Sequence, residues 1–154
     1  MLIGCATISH LSAGLVELGR TGADVNGMSW DITRRMGVNT LAFRMMQHGA
    51  FYDVDADCVG ITGEIPWAQV GLWLDILSRS GTPLFVSCKP GILTDAQLAE
   101  LREAYARNSV QRDKLIPLDW MENICPERWL LNGREIHYDW FADDVSVMFA
   151  GKSL

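Results

Sequence analysis

The chain has 154 residues, 49% of them hydrophobic and 21% charged, with a formal net charge of -6. That length buries one good core, so one domain, or one plus a fragment, is expected. The acidic balance leaves no basic footprint for nucleic acid, and no apolar run approaches the ~18–20 residues that cross a bilayer, so neither is an expected partner.

Met1-Leu2-Ile3 leads directly into a strand-like segment with no basic n-region and no cleavage site, which makes a cytoplasmic location the expectation. Leu2 to Ala6 reads as the first strand, and Val16 to Arg20 as a weaker second one. The second strand runs into Gly19-Arg20-Thr21-Gly22-Ala23-Asp24, where a cation and a carboxylate stand four residues apart among glycines. Such a pair suits a site that binds a polar substrate and donates a proton; it equally describes a surface ion pair beside a turn. Trp30 to Met36 reads as a short helix closed by Gly37.

Asp53-Val54-Asp55-Ala56-Asp57 reads either as a solvated acidic turn or as the source of a pocket residue, Asp57. Glu64 completes the spacing of a calcium loop, but the glycine that such a loop needs at its sixth position is Cys58. Cys58 to Ile61 is the next strand. Pro66 suits a first helical turn, and Trp67, Val70, Trp73, Leu74 and Leu77 trace an apolar stripe that ends at Ser80-Gly81. Trp67 and Trp73 are therefore read as packing residues. Pro83 to Cys88 is a further strand, and Thr94-Asp95-Ala96-Gln97 caps a helix whose buried face is marked by Leu98, Leu101 and Tyr105.

This succession predicts a parallel α/β array of four β/α units over residues 2 to 109, half of an eight-stranded TIM-type barrel. From Ile116 onward, Asn132-Gly133 and the alternation in Ile136 to Trp140 and Val145 to Phe149 predict antiparallel strands. The expected division is residues 1–115 as half of a barrel and residues 116–154 as the start of an antiparallel β domain. The four cysteines (Cys5, Cys58, Cys88 and Cys125) form no CxxC pair and are read as buried reduced thiols. His10, His48 and His137 have no motif around them and are assigned to loops, caps and the strand surface.

Together, LIGCATISHLSAGLVELGRTGADVNG, FYDVDADCVGIT, SGTPLFVS and PLDWMENICPERWLL resemble the second half of the catalytic domain of α-galactosidase-type (melibiase) glycoside hydrolases. The resemblance implies the last four β/α units of a (β/α)8 barrel followed by the first strands of a C-terminal β domain. It implies retaining hydrolysis of α-galactosides or α-N-acetylgalactosaminides. Asp24 is then the general acid/base, Arg20 hydrogen-bonds a sugar hydroxyl, and Cys5 and Asp57 line the pocket. Trp30, just past Asp24, is the aromatic to consider for stacking on the sugar.

The family's nucleophile is an Asp in a K-x-D segment, and none stands at a strand end here: Lys89 is followed by Pro-Gly and Lys114 by Leu-Ile. Some galactose-specific relatives carry an acidic residue where Ala6 stands. The mechanism needs only carboxylates, so no metal or organic cofactor is implied. The expected partners are an α-linked galactose-type carbohydrate, and a second copy of the chain or the missing N-terminal half.

Overall fold

A computed structural model describes residues 1–142. The predicted strand Val145 to Phe149 lies outside them. Among the described residues there are three small sheets and a set of helices. β1 (Ile3–Cys5), β2 (Leu18–Arg20) and β3 (Asp53–Asp55) form a parallel sheet in chain order. β4 (Val59–Ile61) pairs in parallel with β5 (Val86–Cys88). β6 (Ile116–Pro117), β7 (Arg128–Leu131) and β8 (Arg134–His137) form an antiparallel sheet. Asn132 and Gly133 make the two-residue turn between β7 and β8, both with positive φ (52° and 75°), as a tight hairpin requires.

The expected last four β/α units of a TIM-type barrel are not formed. Between β1 and β2 the chain makes only a 3-10 turn, Ser9–Ser12, with no α-helix to cover the strands. The parallel strands then divide into a three-stranded and a two-stranded sheet instead of one continuous arc. The division falls at Ala56-Asp57-Cys58, between β3 and β4, where Asp57 takes a φ of 75° that breaks the pleat.

The predicted helix at Trp30 also runs further than its sequence suggests. α1 (Trp30–Ile32) passes into a π-helical turn (Thr33–Val38), then α2 (Asn39–Arg44) and a 3-10 turn (Met45–Gln47). Gly37 lies inside this run. A Cβ there would stand 2.9 Å from the Trp73 ring, so the glycine serves the close approach of two helical segments instead of ending one.

α3 (Trp67–Arg79) and α4 (Asp95–Val110) match their sequence patterns most closely. Val70, Trp73, Leu74 and Leu77 are buried along α3. Thr94 and Gln97 form a reciprocal capping box at the start of α4. The buried face of α4 is Leu101 with Ala104, whereas Tyr105 is exposed.

One hydrophobic cluster gathers Leu41, Trp73, Ile76 and Leu77 with Leu115, Trp129, Tyr138 and Trp140. Asp75 ties the same regions together. It accepts from Arg79 Nε on its own helix (2.7 Å), from Arg107 on α4 (2.5 Å) and from the Tyr138 hydroxyl beyond β8 (2.8 Å). Among the described residues no helix is long and apolar enough to cross a membrane.

Candidate functional site

The parallel registers place Cys5, Arg20 and Asp55 opposite one another at the carboxyl ends of β1, β2 and β3. Registered residues of adjacent strands project to the same face, so strand geometry alone builds a row of thiol, guanidinium and carboxyl. Asp24 reaches this row from the loop after β2, and Asp57 from the bend after β3.

One guanidinium nitrogen of Arg20 donates to both Asp24 and Asp57, the latter at 3.2 Å. Burial opposes the charge on Arg20, but the two carboxylates outweigh it and its pKa rises above the ordinary value. Asp57 is fully engaged. Its Oδ2 also accepts from the Val25 amide at 2.6 Å and its Oδ1 from the Cys58 amide at 2.8 Å. Its own amide donates to Asp55 Oδ1 at 2.8 Å. Asp24, by contrast, keeps a side chain 73% exposed. Thr7 Oγ1, Arg20 Nε and Thr21 Oγ1 are buried and have no hydrogen-bond partner among the described residues.

Backbone contact holds the Asp24 loop in place. Gly27, with φ of 73°, lies so close to Gly60 of β4 that a Cβ on Gly60 would stand 2.5 Å from the Gly27 nitrogen. The Thr62 hydroxyl donates to the Gly27 carbonyl at 2.6 Å, which fastens the loop to the end of β4.

Four of the five residues expected at the site, Cys5, Arg20, Asp24 and Asp57, therefore converge. Trp30 is engaged elsewhere: its indole donates to the Trp140 carbonyl at 2.9 Å and its ring tilts against that of Trp140. Cys5 and Cys88 are exposed free thiols, which corrects the expectation that the cysteines are buried; Cys125 is buried. His48 Nδ1 accepts from the Val54 amide at 3.1 Å, and burial pushes the imidazole pKa down, so its lone pair already serves the fold.

The residue to which sequence reasoning assigned no site role is Asp55. It is 6% exposed, and burial drives its pKa above the usual carboxyl range, assisted by the Asp57 charge and opposed by the Asp57 amide and Arg20. Its signals were the Asp55-x-Asp57 pattern within FYDVDADCVGIT and the alternation Asp53-Val54-Asp55, which places Val54 and Asp55 on opposite faces of a strand. Among the described residues no three His, Cys, Asp or Glu side chains gather as a metal site. An apolar cavity of about 260 Å³ lies elsewhere, between Phe43, Met46, Ile116 and Trp120, and carries no carboxylate. No family model, curated protein or solved structure matches the chain.

Proposed function

We propose that this chain supplies the acid/base part of a retaining glycoside hydrolase of the α-galactosidase type, acting on α-linked galactose or N-acetylgalactosamine. Asp24 is the proton donor, and Arg20, Cys5 and Asp57 belong to the sugar pocket. The observation that carries this reading is the gathering of Cys5, Arg20, Asp24 and Asp57 at the carboxyl ends of parallel strands. The donor role requires Arg20 to turn from its ion pair with Asp24 toward the sugar hydroxyls when substrate binds.

A retaining reaction needs a second carboxyl about 5–5.5 Å from the first, free to attack the anomeric carbon. Asp57 does not suit that role, because Arg20 and the amides of Val25 and Cys58 occupy its oxygens. Asp55 does not suit it either, being buried and disfavoured as an anion. The attacking group therefore lies outside this set, in keeping with the lack of a K-x-D segment at a strand end. The same fact favours a second reading, a non-catalytic unit that binds sugar weakly.

Small anions separate the two readings by standing in for the missing carboxylate. The chain is incubated with aryl α-galactoside or aryl α-N-acetylgalactosaminide, with and without azide. Azide attacks the anomeric carbon, the bond to the aryl oxygen breaks, Asp24 protonates the leaving oxygen, and a β-glycosyl azide forms. Azide-dependent product that falls in Asp24→Asn and Arg20→Ala is the expected result. Sugar binding lost in Arg20→Ala, without any glycosyl azide, would establish the non-catalytic reading. No binding and no product would overturn both.

A further inference from the structure

The apolar cavity beside α2 leaves polar groups unused. Buried Ala42 and Met45 form its floor, half-buried Phe43 one wall, and exposed Met46, Ile116 and Trp120 its rim. One side therefore comes from α2 and the 3-10 turn after it, and the other from the chain through β6. Phe43 and Trp120 meet edge to face, with ring centroids 5.7 Å apart. Asp119 fixes the Trp120 segment by accepting from the amides of Glu127 and Arg128, each at 3.1 Å.

Two donors at this cavity have capacity to spare. Lys114 lines it, and its ammonium makes one hydrogen bond, to the His48 carbonyl at 2.7 Å. No carboxylate pairs with Lys114 among the described residues, so its charge is uncompensated and two of its N–H bonds are unspent. Trp120 supplies the second donor. The other indole N–H groups all donate within the protein: Trp30 to Trp140, Trp67 to Glu100, Trp73 to Cys58, and both Trp129 and Trp140 to Pro126. That of Trp120 has no partner among the described residues. No lining side chain carries an oxygen. The cavity thus presents a positive charge and donors, without an acceptor, beside an apolar floor.

We infer that this cavity binds a medium-chain aliphatic carboxylate, its chain against Ala42, Phe43, Met45 and Ile116 and its head on the Lys114 ammonium and the Trp120 N–H. A cavity of about 150 Å³ takes benzene, so one of about 260 Å³ takes roughly ten non-hydrogen atoms, the size of octanoate. Met45 and Met46 are adaptable walls that suit a flexible chain. The site stands apart from the Arg20 carboxylates and does not rest on the glycosidase reading.

The test is calorimetric titration of the whole chain with octanoate and, beside it, 1-octanol, which keeps the chain and lacks the charge. Octanoate is expected to bind once per chain and about fivefold more tightly than octanol, the worth of one solvent-exposed charge pair. Lys114→Met is expected to erase that preference while octanol binding stays, and Lys114→Arg to restore it. Trp120→Phe keeps a ring against Phe43 and removes the N–H, and is expected to weaken octanoate alone. Ile116→Trp fills the cavity mouth from an exposed position and is expected to abolish binding of both compounds with an unchanged unfolding midpoint. Equal affinity for octanoate and octanol in the parent overturns the carboxylate assignment, as does a preference that survives Lys114→Met. Octanoate binding that persists in Ile116→Trp, or none to the parent, overturns the site.

Discussion

Residues 1–16 and residues 59–140 treat their apolar side chains in opposite ways. In the first segment six large hydrophobic residues stand in water above a three-residue strand. In the second, Trp73, Trp129, Trp140, Ile76, Leu77 and Leu115 are essentially withdrawn from solvent in one cluster, fastened across α3, α4 and the C-terminal strands by Asp75. The Arg20 site lies where these regions meet. Its cation comes from β2, and the loop bearing Asp24 is held by β4. Stability is thus concentrated in one region, while the candidate chemistry faces the thinly packed other.

The strongest challenge to this contrast is Trp73→Ala. It removes a 2% exposed ring and the indole bond to the Cys58 carbonyl at 3.2 Å, and a loss of about 3–5 kcal/mol is expected in denaturant unfolding. Next comes Gly60→Ala. Its new methyl group meets the Gly27 backbone, so a loss of about 1–3 kcal/mol is expected, together with changed chemical shifts at Val25 and Gly27.

Asp55→Asn probes the border itself. The folded-state pKa of Asp55 is raised by burial, so its favourable contribution is full below the unfolded value of about 3.9 and is lost as pH rises through the folded value. The neutral amide keeps an acceptor for the Asp57 amide and escapes that loss. The variant is expected to melt higher than the parent at pH 7, with the gap closing toward pH 3.5. A gap that widens on acidification would contradict this assignment. The smallest effect belongs to Leu11→Ala, at a residue 62% exposed, which is expected to change the free energy measured in denaturant unfolding by less than about 0.5 kcal/mol.

The same contrast governs how much the sequence conveyed. α3 and α4 were legible because Val70, Trp73, Leu74 and Leu77 repeat at helical spacing and Thr94 and Gln97 form a local capping pair. The short strands β1, β2, β4 and β5 were legible as apolar runs. β3 was hidden by two aspartates, because nothing local reveals that neighbouring elements bury Asp55. Gly37 resembled a helix end because its partner, Trp73, is 36 residues away in sequence. The predicted succession of units also assumed a helix after β1, where Ile8, Leu11 and Leu15 supply apolar residues but only a single 3-10 turn forms. At the site, the spacing of Arg20 and Asp24 announced their contact, whereas the three donors that occupy Asp57 come from folding.

The π-helical turn at Thr33–Val38 has a consequence for length. Its wide hydrogen bonding, with the Asn39 amide reaching back to the Arg34 carbonyl, takes up one residue more than an α-helical path between the same ends. Deleting one residue within 33–38 would let this stretch close to regular α-helix while Leu41 and Met45 kept their places in the core. Gly37 must be retained in such a deletion, since the Trp73 ring occupies the space beside it. A chain one residue shorter here would preserve the fold, whereas the same deletion within α3 would rotate Trp73 and Leu77 out of their shared face.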